Sequence, residues 1–247
     1  RVGGYTARCS VYLASDQNPT NDVTSAPFWV ISSAVPGWHE MAPMPTAPSG
    51  MPIGDGGWLA EAGDIIYAAK GRKTSDFYGY DVTRDSWFPL ASIPDGREAK
   101  KPGKGAVGVN SGFVYAVKGN NTQGFWKYDA TVDSWYQKKD VPLGLTNKKV
   151  KGGNDLAHYN GFVYLLKGNK NEFLKYDIAN DSWTILSPAP LGASGKEKYD
   201  KGSWLVYNGD TTAPKLYAHK AKYHELFAYD LIRDTWQEPP LSGMPFI

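Results

Sequence analysis

The sequence is poor in the residues that most often carry covalent cross-links or metal chemistry. Of its 247 residues, one is cysteine and four are histidine. The lone Cys9 excludes an internal disulfide, which leaves the redox compartment open, since cytosolic chains and many exported prokaryotic chains share this trait. Cys9 lies between apolar segments and reads as a small buried hydrophobe. The histidines, His39, His158, His219 and His224, show no metal-ligand spacing. No apolar run approaches the roughly 18 residues that cross a bilayer, so no membrane insertion is expected. A charge excess is missing too: 27 basic and 25 acidic residues leave a formal charge of +2, which gives no reason to expect a nucleic-acid partner. Nucleophile elbow, phosphate loop and zinc-protease motifs are all absent, and no cofactor or catalytic residue is assigned.

Aromatics and turn formers are plentiful, with 16 Tyr, 9 Trp, 27 Gly and 17 Pro. This composition suits many short strands joined by tight turns. The organising feature is a repeat. Gly112-Phe-Val-Tyr-Ala-Val-Lys-Gly119 runs on to Tyr128-Asp129 and Asp133-Ser-Trp135. Ile65–Gly71 leads to Tyr80-Asp81 and Trp87, Phe162–Gly168 to Tyr176-Asp177 and Trp183, and Leu216–Ala221 to Tyr229-Asp230 and Trp236. The tryptophans recur at about 50-residue intervals, the signature of a propeller or array.

Residues 1–48 read as a degenerate first repeat. Ser10–Ala14 and Ala26–Ile31 stand for its strands, Gly37–Pro45 stands for the terminal Trp strand, and Gly3–Ala7 is a candidate inner strand. The Tyr-Asp pair and the Asp-Ser before Trp are missing there, and Asp16–Ser25 reads as an exposed loop. The later repeats occupy about 49–94, 95–143, 144–190 and 191–247, each with four short strands. Continuous apolar runs such as Phe113–Val117 suit strands packed on both faces. The expected architecture is all-β, a single-domain five-bladed propeller with four antiparallel strands per blade.

The order of strand, turn, Tyr-Asp, about six residues and Trp resembles the kelch repeat. Tyr128-Asp-Ala-Thr-Val-Asp-Ser-Trp135 and Tyr176-Asp-Ile-Ala-Asn-Asp-Ser-Trp183 carry the resemblance most clearly. The family's double glycine after the second strand is replaced by Lys-Gly at residues 70–71, 118–119 and 167–168, and by Lys220-Ala221. In this the chain resembles a prokaryotic kelch-like subgroup of exported proteins. The resemblance implies an extracellular or cell-surface location, with a cytoplasmic one as the alternative. Kelch-like propellers are mostly binding modules and a minority are enzymes, so fold does not decide between them.

The repeated Tyr, Asp and Trp read as structural, because a site does not need four copies. The repeated lysines, Lys70, Lys118, Lys167 and Lys220, each follow a Tyr by three residues (Tyr67, Tyr115, Tyr164 and Tyr217). A buried ammonium needs a partner or solvent. Each lysine therefore pairs with an acidic group or caps strand-end carbonyls, or else the four form a basic ring at one mouth of the channel. Such a ring would bind a carboxylate, sulfate or phosphate. Lys104, Lys149, Lys151 and Lys201 precede first strands and would widen it. His158 and His219 fall on expected inner strands of neighbouring blades.

The enzyme tests mostly fail. Copper chemistry of the galactose-oxidase type would need Tyr and His ligands with a cross-linked Cys. A sialidase would need an arginine cluster and Ser-x-Asp-x-Gly-x-Thr-Trp boxes. The leading expectation is a non-catalytic binding or assembly module of an exported or cell-surface prokaryotic protein. It would contact protein partners, surface glycans or copies of itself. The alternatives are a carbohydrate-active enzyme with its site at the channel mouth and an intracellular protein-interaction scaffold.

Overall fold

The local rule behind each repeat is a hairpin closed by an Asp-rich turn. In the Tyr-Asp pair, the carboxylate accepts hydrogen bonds from amides further along the turn. Asp81 Oδ1 takes those of Thr83 and Arg84 at 3.0 and 2.9 Å, and Asp177 Oδ1 those of Ala179 and Asn180 at 2.9 and 3.0 Å. Asp129 and Asp230 do the same. The second Asp, before Ser/Thr-Trp, is left-handed in every repeat, with φ of 49°, 45°, 47° and 56° at Asp85, Asp133, Asp181 and Asp234. Its short polar side chain tolerates that conformation. It also accepts the hydroxyl of the repeat Tyr, at 2.7 Å for Tyr128–Asp133 and 2.6 Å for Tyr176–Asp181. The turn places Tyr opposite Trp across the hairpin, as in Tyr128↔Trp135 and Tyr176↔Trp183.

The computed structural model describes residues 3–10, 23–30 and 38–241, with side chains described from 38 to 237. The chain divides into two compact units, Arg1–Met41 and Ala42–Ile247. In the first, β1 (Gly3–Ser10) pairs antiparallel with β2 (Val23–Val30), from Gly3↔Val30 to Ser10↔Val23.

The second unit is a β-propeller of four blades, each of four antiparallel strands in sequence order. Blade 1 is β3 (Trp58–Ala62), β4 (Ile65–Ala69), β5 (Phe77–Asp81) and β6 (Ser86–Pro89). Blade 2 is β7 (Val107–Asn110), β8 (Val114–Val117), β9 (Phe125–Asp129) and β10 (Ser134–Gln137). Blade 3 is β11 (Asp155–Tyr159), β12 (Phe162–Leu166), β13 (Phe173–Asp177) and β14 (Ser182–Ile185). Blade 4 is β15 (Trp204–Tyr207), β16 (Lys215–Lys220), β17 (Glu225–Asp230) and β18 (Thr235–Leu241). The first strands β3, β7, β11 and β15 lie side by side in that order and form the inner wall.

The core is a set of layers between blades. Phe77, Phe125 and Phe173, from three successive third strands, are buried. Each meets the Trp of the next blade with ring centroids 4.9 Å apart, at Trp135, Trp183 and Trp236. Each also meets the next repeat Tyr at 4.7 to 4.9 Å. Edge-to-face contacts of this kind add roughly 0.5–1.5 kcal/mol beyond the area buried. The Trp indole then donates back to the exit of the preceding blade, at Ala91 O (2.9 Å), Lys139 O (2.8 Å) and Ser187 O (3.1 Å). The repeat Tyr, Asp and Trp therefore lock one blade to the next.

The expected fifth blade is corrected to four. Residues 1–48 lack the Tyr-Asp and Asp-Ser anchors that close each hairpin, and no four-stranded sheet forms there among the described residues. The proposed inner strand Gly3–Ala7 lies in β1 and Ala26–Val30 in β2, while residues 11–14 and 31 lie outside the described residues. The Cys9 side chain and most of the Asp16–Ser25 loop are also outside them. Trp38 is fully exposed and Trp38–Pro45 is not a strand. Part of that segment instead serves blade 1: Ala42 O accepts from Trp87 Nε1 and Ala42 N donates to Asp85, at 2.7 Å each. Among the described residues no helix is long and apolar enough to cross a membrane.

Candidate functional site

The four repeat lysines are drawn into the blades rather than onto a rim. Each is at most 3% exposed. Lys70 Nζ donates to Thr46 O and Ala47 O, at 2.7 and 2.9 Å, and pairs with Asp76 at 2.7 Å. Lys167 donates to Pro142 O and Leu143 O, at 3.0 and 2.6 Å, and lies 3.1 Å from Glu172. Lys220 reaches Leu191 O at 2.7 Å, Lys196 O, and Glu225 at 3.3 Å. Lys118 caps Pro94 O at 3.2 Å and Asp95 O. It has no carboxylate partner among the described salt bridges, because Gly124 stands where Asp76 and Glu172 precede their Phe. The ammonium groups of this set tie each blade's second strand to the loop that enters the blade. They replace the basic ring with four internal clamps.

The surrounding electrostatics follow from that enclosure. Burial pushes Lys118, Lys167 and Lys220 below the ordinary lysine range. Burial also pushes the Glu172 carboxyl up, but hydrogen bonds from Thr146 and Lys167 outweigh it and hold the group below its usual range. Asp76 is held down in the same way by Lys70 and Ser49.

The glycine after three of the four lysines, Lys70, Lys118 and Lys167, has a packing reason. At Gly71, φ is +65° and an added Cβ would stand 2.3 Å from the carbonyl carbon of Gly56. Gly119 meets Gly105, and Gly168 meets Gly153, at the same distance. Each of these partners leads into a first strand. The lysine and glycine together hold the inner loops close to the axis.

Those inner loops form a cavity of about 320 Å³ to which all four blades contribute. The residue before the turn glycine that recurs in every blade is Asp55 in blade 1, Lys104 in blade 2, Gly152 in blade 3 and Lys201 in blade 4. Asp55, Lys104 and Lys201 are exposed. Neither lysine has an ion-pair partner among the described residues. A Cβ at Gly152 would meet Lys104 Cε at 2.9 Å, so the missing side chain gives Lys104 room to cross toward blade 3.

The wall below carries a charged side chain at one blade only. Asp155 occupies the place held by Trp58, Val107 and Trp204 in the other blades. Its Oδ2 accepts from Leu205 N, on the next first strand, at 2.8 Å, and its Oδ1 from Leu156 N at 2.9 Å. Burial pushes its pKa up to about 6 against those two amides. Beside it, Asn154 donates to Gly105 O at 2.8 Å, while its buried Oδ1 has no hydrogen-bond partner among the described residues.

The structure therefore sorts the candidate lysines anew. Lys104 and Lys201, weighed as loop charges, line the central cavity; Lys149 instead pairs with Glu98 at 2.6 Å. Lys151 is exposed, and its carbonyl abuts Gly105. His158 lies on the first strand of blade 3, and burial lowers its pKa. His219 lies on the second strand of blade 4 with its ring tilted against Trp204, centroids 5.2 Å apart, so the two histidines sit on different strands of their blades. No group of three or more metal-binding side chains forms among the described residues. Asp55, Asn154 and Asp155 were missed because they break the repeat instead of repeating. Aligning the turn glycines Gly56, Gly105, Gly153 and Gly202 would have exposed them.

No protein family and no curated protein matches the chain. Solved structures do, among them the structure of YjhT, at 18% identity and a TM-score of 0.56. The match covers 78% of this chain and 66% of that one, so the chain spans just under two thirds of that protein's length. The likeness shows the β-propeller fold.

Proposed function

We propose that the protein is a non-catalytic binding module that takes the anionic group of a surface glycan or partner at the central cavity. The observation that carries this reading is the pair Lys104 and Lys201, exposed, without ion-pair partners, and contributed to one cavity by two different blades. An ammonium held free of a carboxylate favours an anion, and two such groups strengthen the field at one point. The kelch-like repeat identity and an exported or cell-surface setting belong to the same reading; the first rests on the Tyr-Asp and Trp spacing, the second on the Lys-Gly pairs that stand in place of the family's double glycine.

The test is calorimetric titration with galacturonate and with neutral galactose. Wild type is expected to bind the acid and not the neutral sugar. Lys104→Gln combined with Lys201→Gln should weaken binding at least about tenfold. Equal binding of both sugars, or an unchanged affinity in the double variant, sinks the reading. One observation favours a carbohydrate-active enzyme instead: Asp155, held near neutral in its titration, shares the cavity with a second carboxylate, Asp55. Turnover of the titrated sugar's glycosides, lost in Asp155→Asn, would select that reading.

A further inference from the structure

The central cavity continues outward. A second cavity of about 440 Å³ shares Asp55 and Lys104 with it and adds Arg72, Lys73, Gly103 and Asn120. A third, of about 390 Å³, shares Arg72 and Lys73 with the second and reaches Lys101. The three form one furrow from the centre to the rim of blades 1 and 2.

The repeat itself shows that the charges in this furrow are not required by the fold. The two residues after the Lys-Gly turn are Arg72-Lys73 in blade 1, Asn120-Asn121 in blade 2 and Asn169-Lys170 in blade 3. Arg72, Lys73, Asn120 and Asn121 are all left-handed, with φ of 49°, 58°, 47° and 58°. Asparagine suits that backbone, whereas arginine and lysine are strained in it. Blade 1 therefore carries long cations where the fold prefers asparagine. Lys170 of blade 3 is neutralised by Glu197, but Arg72, Lys73, Lys101 and Lys104 have no carboxylate partner among the described residues. Besides Asp55, the furrow's lining carboxylates are Asp76, which Lys70 already holds at 2.7 Å, and Asp155, whose two oxygens accept the amides of Leu156 and Leu205. Unpaired cations placed in a row repel one another, and a chain of anions relieves that repulsion.

We infer that this furrow binds a linear acidic oligosaccharide, one acid group at Lys104 and Lys201 and another at Arg72 and Lys73. This rests on the binding reading above and adds the length and direction of the ligand. Two other polyanions, an acidic peptide and a nucleic acid, fit this lining less well. Away from the centre it crosses loops and offers no strand edge to an extended peptide. Its outer two cavities contain no aromatic ring on which a nucleic-acid base could stack. Hydroxyls such as those of Ser75 and Ser92 lie along it, suited to sugar hydroxyls.

The experiment titrates galacturonate, its hexamer and hexaglutamate into wild type and into Arg72→Asn/Lys73→Asn. The substitutions copy blade 2 in the same backbone conformation, so the fold is kept, and circular dichroism confirms it. Wild type should bind the hexamer at least about tenfold more tightly than the monomer. The variant should lose that gain and keep the monomer affinity. A monomer that binds without any gain from length overturns the furrow and leaves the central site standing. Failure of both sugars overturns both, and hexaglutamate binding as tightly as the hexamer overturns the assignment to sugar.

Discussion

At the scale of single residues, the chain uses charge inside its blades for architecture. Lys167 is enclosed with Glu172, so Lys167→Met leaves a buried carboxylate without its cation and should cost about 3 kcal/mol or more. Lys118→Met strands only carbonyls and should cost about 1–2 kcal/mol. Urea midpoints of the two variants check this order, and equal losses would contradict it. Asp155 makes a pH-dependent prediction. Its folded pKa, about 6, lies above the ordinary 3.8, so the folded state binds this proton more tightly than the unfolded chain. The stability it contributes is present at acid pH and is lost as pH rises through about 6. Wild type should therefore lose stability relative to Asp155→Asn between about pH 4 and pH 7, by thermal unfolding at each pH. A constant gap would remove the argument. The lysines were legible as a repeat, but their direction was not, since their partners are carbonyls of a loop about 24 residues earlier (Thr46 for Lys70).

At the scale of the hairpin, the sequence is most legible. Strand starts such as Ile65, Phe77, Phe125, Phe162 and Phe173 fall where the apolar runs and turn residues put them. The Tyr-Asp and Asp-Ser-Trp signals succeed because their chemistry is local: amide-accepting carboxylates and a left-handed Asp within one turn. What the spacing alone could not show is that the same Asp also works between blades, with Asp133 accepting Ala91 N at 2.7 Å. Asp133→Ala removes that bond, frees the Tyr128 hydroxyl and puts Ala into a left-handed position. A loss of about 2–3 kcal/mol is expected. Asp133→Asn keeps the backbone preference and one acceptor and should lose about half as much. If Asn and Ala are equally damaging, the turn does not work in this way.

At the scale of the whole molecule, periodicity predicted blades but overcounted them. Trp38 keeps the spacing, yet its segment lacks the two aspartates, and without them an evenly placed Trp does not end in a strand. The central cavity was the least legible part. It is made where the four repeats differ, at Asp55, Lys104, Gly152 and Lys201, and at Asp155 among apolar equivalents. A reading tuned to recurrence passes over such positions, although they are where a nearly symmetric scaffold acquires a direction. The most direct measurement is a crystal structure with bound trigalacturonate. The account predicts a carboxylate within hydrogen-bonding distance of Lys104 Nζ or Lys201 Nζ, with Lys70, Lys118, Lys167 and Lys220 unmoved on their carbonyls. A sugar seated away from the central cavity, or a repeat lysine withdrawn from its clamp to hold it, would contradict the account.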